Sequence, residues 1–315
     1  RRRYKSVAKN YNMNETLVLE KADLTDCEFN NCIFNNVELI ELNVGASYDT
    51  TLGFKHDTTY FNNTTFNYCN FEFPLKYKKS VLPQDAINKD ELITINKFKN
   101  MIYKPTVDPN GILDLKNIMY TETYTPKLVF NKTKFLQTEF KYKVRDIEHI
   151  QAIRFNECEF INYTFVEIHF LNVIFYKCNF KNGYFDTCNF KDCLFDSCNF
   201  NNNTFTNSNL CYAGATEFAN CTFKNDEFKH CLLSQHKVFV YTTIFRSNCN
   251  LNSVLFSRCK LNLLKFNFDY TYSSNSNNIL NMTQCRFQLC NLYGTSFDYC
   301  NLEGSNFAST NLGIT

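Results

Sequence analysis

The sequence has no run of about eighteen apolar residues, the length a helix needs to cross a membrane. Its most apolar segment, YTFVEIHFLNVIF at 163–175, is broken by Glu167 and His169. It has no tryptophan and no excess of one charge: 33 Lys plus Arg stand against 31 Asp plus Glu, a formal net charge of +2. Nothing in that balance provides the basic stripe that would displace counterions from nucleic acid. Histidine is scarce, with His56, His149, His169, His230 and His236 scattered along the chain. There is no nucleotide-binding glycine loop, no H-E-x-x-H and no serine nucleophile elbow. Carboxylate pairs such as Asp146 with Glu148 and Asp85 with Asp90 fall in loops and read as solvated. No catalytic, cofactor-binding or metal-binding residue is therefore assigned, no cofactor is implied, and the chain reads as a non-enzyme.

What the sequence does have is a period of five. In FDTCNFKDCLFDSCNF, residues 185–200, Phe185, Phe190, Phe195 and Phe200 stand five apart. The step runs unbroken from Phe155 to Leu210. It recurs in Leu24–Leu39, Phe61–Phe71, Phe130–Phe140, Phe218–Leu233, Leu251–Phe266 and Phe287–Leu312, and Phe245 stands alone. Neither the 3.6 period of a helix nor the 2 of a strand accommodates it, so internal repetition governs the fold. Two residues before each Phe or Leu lies a second regular position, as at Cys158, Ile168, Val173 and Cys178. Two residues apart on an extended backbone is one face, so both positions point inward. The remaining three are mostly polar and suit solvent. Each unit of five is one short side of a coil.

Units such as CNFKD, CLFDS and CNFNN resemble the pentapeptide-repeat family. The resemblance implies an all-β, right-handed quadrilateral β-solenoid with four units per coil. Residues twenty apart, such as Phe160, Phe180 and Phe200, then stack, and about 37 units make about nine coils and a rod on the order of 43 Å long. Some members of that family imitate DNA to shield topoisomerases, which relies on a strongly acidic surface that a charge of +2 does not supply.

Fifteen of the sixteen cysteines sit at the inward small position, Cys211 being the exception. Beside a Phe in a narrow interior, free Cys serves as a small hydrophobe. Disulfides between stacked pairs such as Cys158 and Cys178, or Cys178 and Cys198, are the alternative, but their Cβ vectors run parallel rather than converging. A metal site wants converging ligands at closer spacing.

The chain reads as one solenoid over 1–315, interrupted at 40–58, 72–127, 141–152, 211–215, 234–242 and 267–284. The longest interruption contains VDPNGILD, a turn signal around Asn110. If 72–77 and 141–147 each conceal one degenerate side, the first five interruptions leave from one corner. Loops on a rigid scaffold commonly carry binding, which makes that edge a candidate interaction surface. Sequons occur at Asn14, Asn62, Asn63, Asn131, Asn162, Asn202, Asn220 and Asn281, and imply N-glycans and a secreted or vesicle-lumen location, with an intracellular one as the alternative.

The stretches DCEFNNCIFNNV at 26–37 and TTYFNNTTFNYCNF at 58–71 are similar to the luminal pentapeptide domain of the synaptic vesicle glycoprotein 2 transporters. That likeness implies a glycosylated, non-catalytic recognition module, with contact at a strand edge near Phe66 and the sequons at Asn62 and Asn63. The competing expectation is a structural element that self-assembles through its terminal coils, where the repeat stays in phase through Phe297 to Leu312. A protein partner or a second copy is expected, on the looped edge near Asn110 or at that end. Nucleic acid is not.

Overall fold

The computed structural model describes residues 2–5, 17–22, 24, 27–40, 42–46, 58–73, 76–78, 128–142, 150–151, 153–171, 173–211, 216–234, 243–246, 248–266 and 279–313. Among them every regular element is a strand of two to four residues, and every pairing is parallel. A side of five residues leaves room for one such strand and one corner.

The strands stack into four faces. The first runs from Arg2–Lys5 to Thr243–Phe245 in nine strands, the third from Leu17–Glu20 to Arg286–Gln288 in ten. The second has seven strands, ending at Thr222–Lys224, and the pair Leu280–Asn281 with Cys300–Asn301. The fourth is the least regular. It holds Ile150–Gln151, His169–Leu171 and Asn189–Lys191, then continues as single bridges through Asn209, Leu232, Lys260, Asn291 and Asn311.

Register aligns ring on ring. Phe160 pairs with Phe180 and Phe180 with Phe200, as the step of five requires. Stacked ring centroids lie between 4.4 and 5.7 Å apart, with planes at most 20° from parallel. Rings of adjacent faces meet mostly edge to face, as Phe175 meets Phe180 at 5.5 Å and 68°. Both arrangements satisfy the aromatic quadrupole, which a directly superposed sandwich does not.

Each corner turns on one residue with positive φ, two positions after the ring: Asn31, Asn63, Asn162, Asn182 and Asn202 among them, at 48° to 56°. Asparagine tolerates this left-handed conformation better than most residues, and it is the residue type found most often at these corners. The corner amide is not left unpaired. Asn162 N donates to Lys181 O at 3.0 Å, and Glu167 N to Asp186 O at 2.9 Å, each in the next coil.

Among the described side chains, first-face rings run Phe29, Phe61, Phe130, Phe155, Phe175, Phe195, Phe218, Phe245, Phe266 and Phe297, ten ring levels against the about nine coils expected. The extra level comes from sides without the Phe or Leu mark. Asn43–Ala46 and Lys76–Lys78 pair with each other where a fourth side belongs in chain order, Ile150–Gln151 supplies another, and Met282 fills a position that Leu takes elsewhere. Of the seven longer undescribed stretches, 47–57, 79–127, 212–215 and 235–242 join a fourth side to a first-face strand, and 6–16 joins a first side to a third. The stretch 143–149 instead joins a third side to a fourth, and 267–278 a first to a second.

Phe180 sits 4.7 Å from Phe160 and 4.8 Å from Phe200, and is 1% exposed. Replacing it by alanine leaves a ring-sized gap that the neighbouring coils, tied by backbone hydrogen bonds, do not close. Phe180→Ala is expected to cost about 3 to 5 kcal/mol in denaturant melts. A loss below about 1 kcal/mol contradicts a close-packed ladder.

Candidate functional site

The rings and the small inward residues fill the coil, so function has two places to reside: the outer surface, and the few inward positions that break the pattern.

On the outside, asparagines form ladders. At the edge of the first face Asn62 Nδ2 donates to Asn30 Oδ1, Asn131 Nδ2 to Asn62 Oδ1 and Asn156 Nδ2 to Asn131 Oδ1, at 2.8 to 2.9 Å. At the corner between second and third faces the chain is Asn225 to Asn202 to Asn182 to Asn162, each step 3.3 Å. These ladders bear on the sequons. The amide nitrogens of Asn62, Asn131 and Asn202 are committed, as are those of Asn220, which donates to Asp196 Oδ1 at 2.8 Å, and Asn281, which donates to Asn250 Oδ1 at 3.1 Å. Asn63 and Asn162 are exposed corner residues, and no described side chain accepts from their amide nitrogens. Asn14 lies outside the described residues, as does Asn110 with the turn around it.

Phe66 is corrected as an edge contact. Its ring is 0% exposed, stacked between Phe34 and Phe135, and its strand Thr65–Asn67 pairs on both sides. A position in phase with the repeat points inward, and no partner reaches it. At the other end Phe297 is partly buried against Phe266 and Phe307, while Leu312 is 47% exposed.

The four faces differ. On the first, the outward side chains Val129, Ile174, Leu194 and Ile244 are all buried, and Glu217, also outward, is buried with Arg246 Nε donating to its Oε1 at 2.7 Å. The second and third faces are open and carry Lys134 paired to Glu159 at 3.0 Å and an exposed Tyr184. Such exposed pairs add little stability. Of the described histidines, His169 contacts Asn189 Nδ2 through Nε2 at 3.1 Å, and His230 is an exposed corner.

The sixteen cysteines are free, and all but Cys300 are buried, Cys211 included. Their thiols donate to backbone carbonyls, as Cys158 Sγ does to Phe130 O at 3.4 Å and Cys188 Sγ to Phe165 O at 3.4 Å. Burial pushes the Cys193 and Cys211 thiols up to about 12, so they stay neutral.

One column departs from this scheme. Two positions before the third-face rings, four successive coils place Tyr163, Gly183, Asn203 and Asp226. Tyr163, 1% exposed, occupies the space a side chain at 183 would take: a Cβ there would lie 2.1 Å from Tyr163 Cε1. Its hydroxyl donates to Asn203 Oδ1 at 3.1 Å, and Gly183 N donates to the same oxygen at 3.0 Å. Asn203 in turn donates through N and Nδ2 to Asp226 Oδ1 at 2.7 and 2.9 Å, and Lys224 N donates to Asp226 Oδ2 at 2.7 Å. Burial pushes the Asp226 carboxyl up to about 6 despite these donors. A shallow cleft of about 370 Å³ lies beside it, lined by Asn225, Glu227, Ser253, Leu255, Gln284 and Arg286. Sequence reasoning passed over this column, although its signal was visible as four unusual residues in consecutive small slots.

The fit of Tyr163 over Gly183 is testable as a pair. Gly183→Ala drives a methyl into a ring held by Phe160, Phe165, Phe180 and Phe185, and is expected to cost about 3 kcal/mol. Tyr163→Cys with Gly183→Cys restores the usual small pair and recovers most of that loss. Independent, additive effects in denaturant melts contradict the fit.

Residues 281–313 match the family described as Pentapeptide repeats, in eight copies. No curated protein matches the chain. Among solved structures it is similar to QnrB1, a plasmid-mediated fluoroquinolone resistance protein, at 15% identity over 52% of this chain and 78% of that one, with a TM-score of 0.27. It is also similar to HetL, a pentapeptide repeat protein involved in heterocyst differentiation regulation from the cyanobacterium Nostoc, at 8% identity over 95% and 88%, with a TM-score of 0.23. The periplasmic alginate epimerase AlgG is matched at 8% identity over 94% and 76%, with a TM-score of 0.38. Among the described residues the chain has the fold of a four-sided parallel β-solenoid with stacked rings, and its residues 281–313 are pentapeptide repeats.

Proposed function

We propose that the protein is a non-catalytic scaffold that binds a protein partner on its open outer faces or its terminal coil. The observation that carries this reading is the filled interior: among the described residues the stacked rings occupy the coil, and the surface depressions of about 370 and 420 Å³ are lined mostly by polar residues. A rigid rod with two open faces offers positions at fixed spacing, which suits recognition of an extended surface. The luminal or extracellular setting is part of the proposal. It is supported by the likeness of 26–37 and 58–71 to the synaptic vesicle glycoprotein 2 luminal domain, and by the exposed sequons at Asn63 and Asn162. The undescribed stretches at the corner between fourth and first faces remain the proposed partner-binding edge.

A second reading, end-to-end assembly of an intracellular protein, is favoured by two observations. Phe297, Leu302 and Phe307 are only partly buried in the last ring level, and sixteen free thiols suit a reducing compartment.

Protein purified from its source and weighed intact before and after glycosidase separates the two. Glycan mass at Asn63 and Asn162, lost on Asn63→Gln and Asn162→Gln, is expected for the luminal scaffold. An unmodified chain whose mass by light scattering rises with concentration supports the assembly reading instead.

A further inference from the structure

We propose that Asp226 is a pH-sensitive joint in the rod: its carboxylic acid form ties two coils together, and its ionised form loosens them. The argument rests on what fills the equivalent places. Where the small inward residue is Cys, Ser, Thr or Asn, it commonly donates a hydrogen to the backbone carbonyl of a ring residue one coil earlier. Thr138 does so to Phe66 O at 3.3 Å, Cys188 to Phe165 O at 3.4 Å, Asn203 to Phe180 O at 3.0 Å, Ser208 to Phe185 O at 3.1 Å and Cys231 to Phe205 O at 3.2 Å. At 226 the corresponding carbonyl is that of Phe200. A carboxylate has no hydrogen to give it, whereas a carboxylic acid has one. Only the protonated side chain completes the pattern.

The charge on the other form has little to offset it. Asp226 is 1% exposed and is the one carboxyl at an inward position among the described residues; the other buried acids, Glu72, Asp196 and Glu217, stand at outward positions. The second and third sides of the coil before it, Ser197 to Ser208, and the strand after it, Leu255–Ser257, contain no Asp, Glu, Lys or Arg. The nearest titratable and charged groups are Tyr163 three coils back in the same column, Glu227 and the outward Lys224 and Lys229 on its own coil, and Arg258 and Arg286 beyond. Glu227 and Arg286 line the cleft beside Asp226. Three N–H donors hold either form, but they do not replace bulk solvent for a full charge.

The pH window follows from the direction of the shift. The folded carboxyl lies near 6, above its ordinary 3.8, so the folded state holds the proton more tightly than the unfolded chain. The added stability is complete below about 4 and is lost as pH rises through about 6, with the folding equilibrium weakening on the order of a hundredfold across the window.

The test compares the full chain with Asp226→Ser, which supplies a donor at every pH as Ser208 does, and with Asp226→Asn. Denaturant melts from pH 4 to 7.5 and infrared difference spectra of the carboxyl stretch are read on each. The wild type is expected to lose stability with rising pH and to show a protonated carboxyl signal that fades near pH 6. Both variants are expected to lack that signal, and any that folds should lack the step. A wild type without the infrared signal overturns the proposal, and so does a folded variant with an unchanged pH profile.

Discussion

The whole structure depends on a coincidence of two lengths. Parallel strands joined by backbone hydrogen bonds lie about 4.8 Å apart, and aromatic rings in offset stacks lie at much the same distance. A Phe on each strand therefore stacks on the Phe of the next coil without bending the backbone, as Phe155 does on Phe175 at 4.8 Å and Phe175 on Phe195 at 4.6 Å. Hydrogen bonding and ring packing then reinforce one register. A slip of one residue would turn every ring on that strand to the outside, so the register is strongly specified.

That choice constrains the other four residues of each unit. With a ring on most sides, the remaining inward position is mostly small, and a residue there that carries a hydrogen can also satisfy the ring carbonyl behind it. Cys, Thr and Ser meet both demands, which is why sixteen cysteines appear in a chain whose thiols are all free. The corner must turn sharply, and one left-handed residue does so; Asn there adds a side-chain amide that bridges to the next coil. Cysteine and asparagine, read one residue at a time, suggest redox chemistry and glycosylation. Within the coil both are first of all packing and turning residues.

What was legible in the sequence divides along the same line. Wherever the ring was kept, from Phe155 to Leu210 above all, period alone located the strands, the inward cysteines and the register. Asn43–Ala46 and Ile150–Gln151 were hidden because a side held by strand pairing needs no ring, and pairing leaves no mark in composition; Lys76–Lys78 overlaps the unmarked side expected within 72–77. Phe66 was misplaced as a contact because a family likeness was weighed above its phase in the repeat. Tyr163 and Gly183 were illegible separately: each is an anomaly alone, and only the stacking of 163 on 183 shows that one fills the space the other vacates.

The same logic locates function. A repeat that assigns every inward atom a packing role leaves chemistry only to positions that escape the assignment. On the first face the escaping positions are the outward Val129, Ile174, Leu194 and Ile244, which are apolar and buried where the repeat calls for polar and exposed. Inside, they are Asn203 and Asp226, polar where the repeat calls for a small residue. Neither group is needed to form a coil, since neighbouring coils form without them. In a rod made of near-identical coils, such departures are what give one segment an identity that the next lacks.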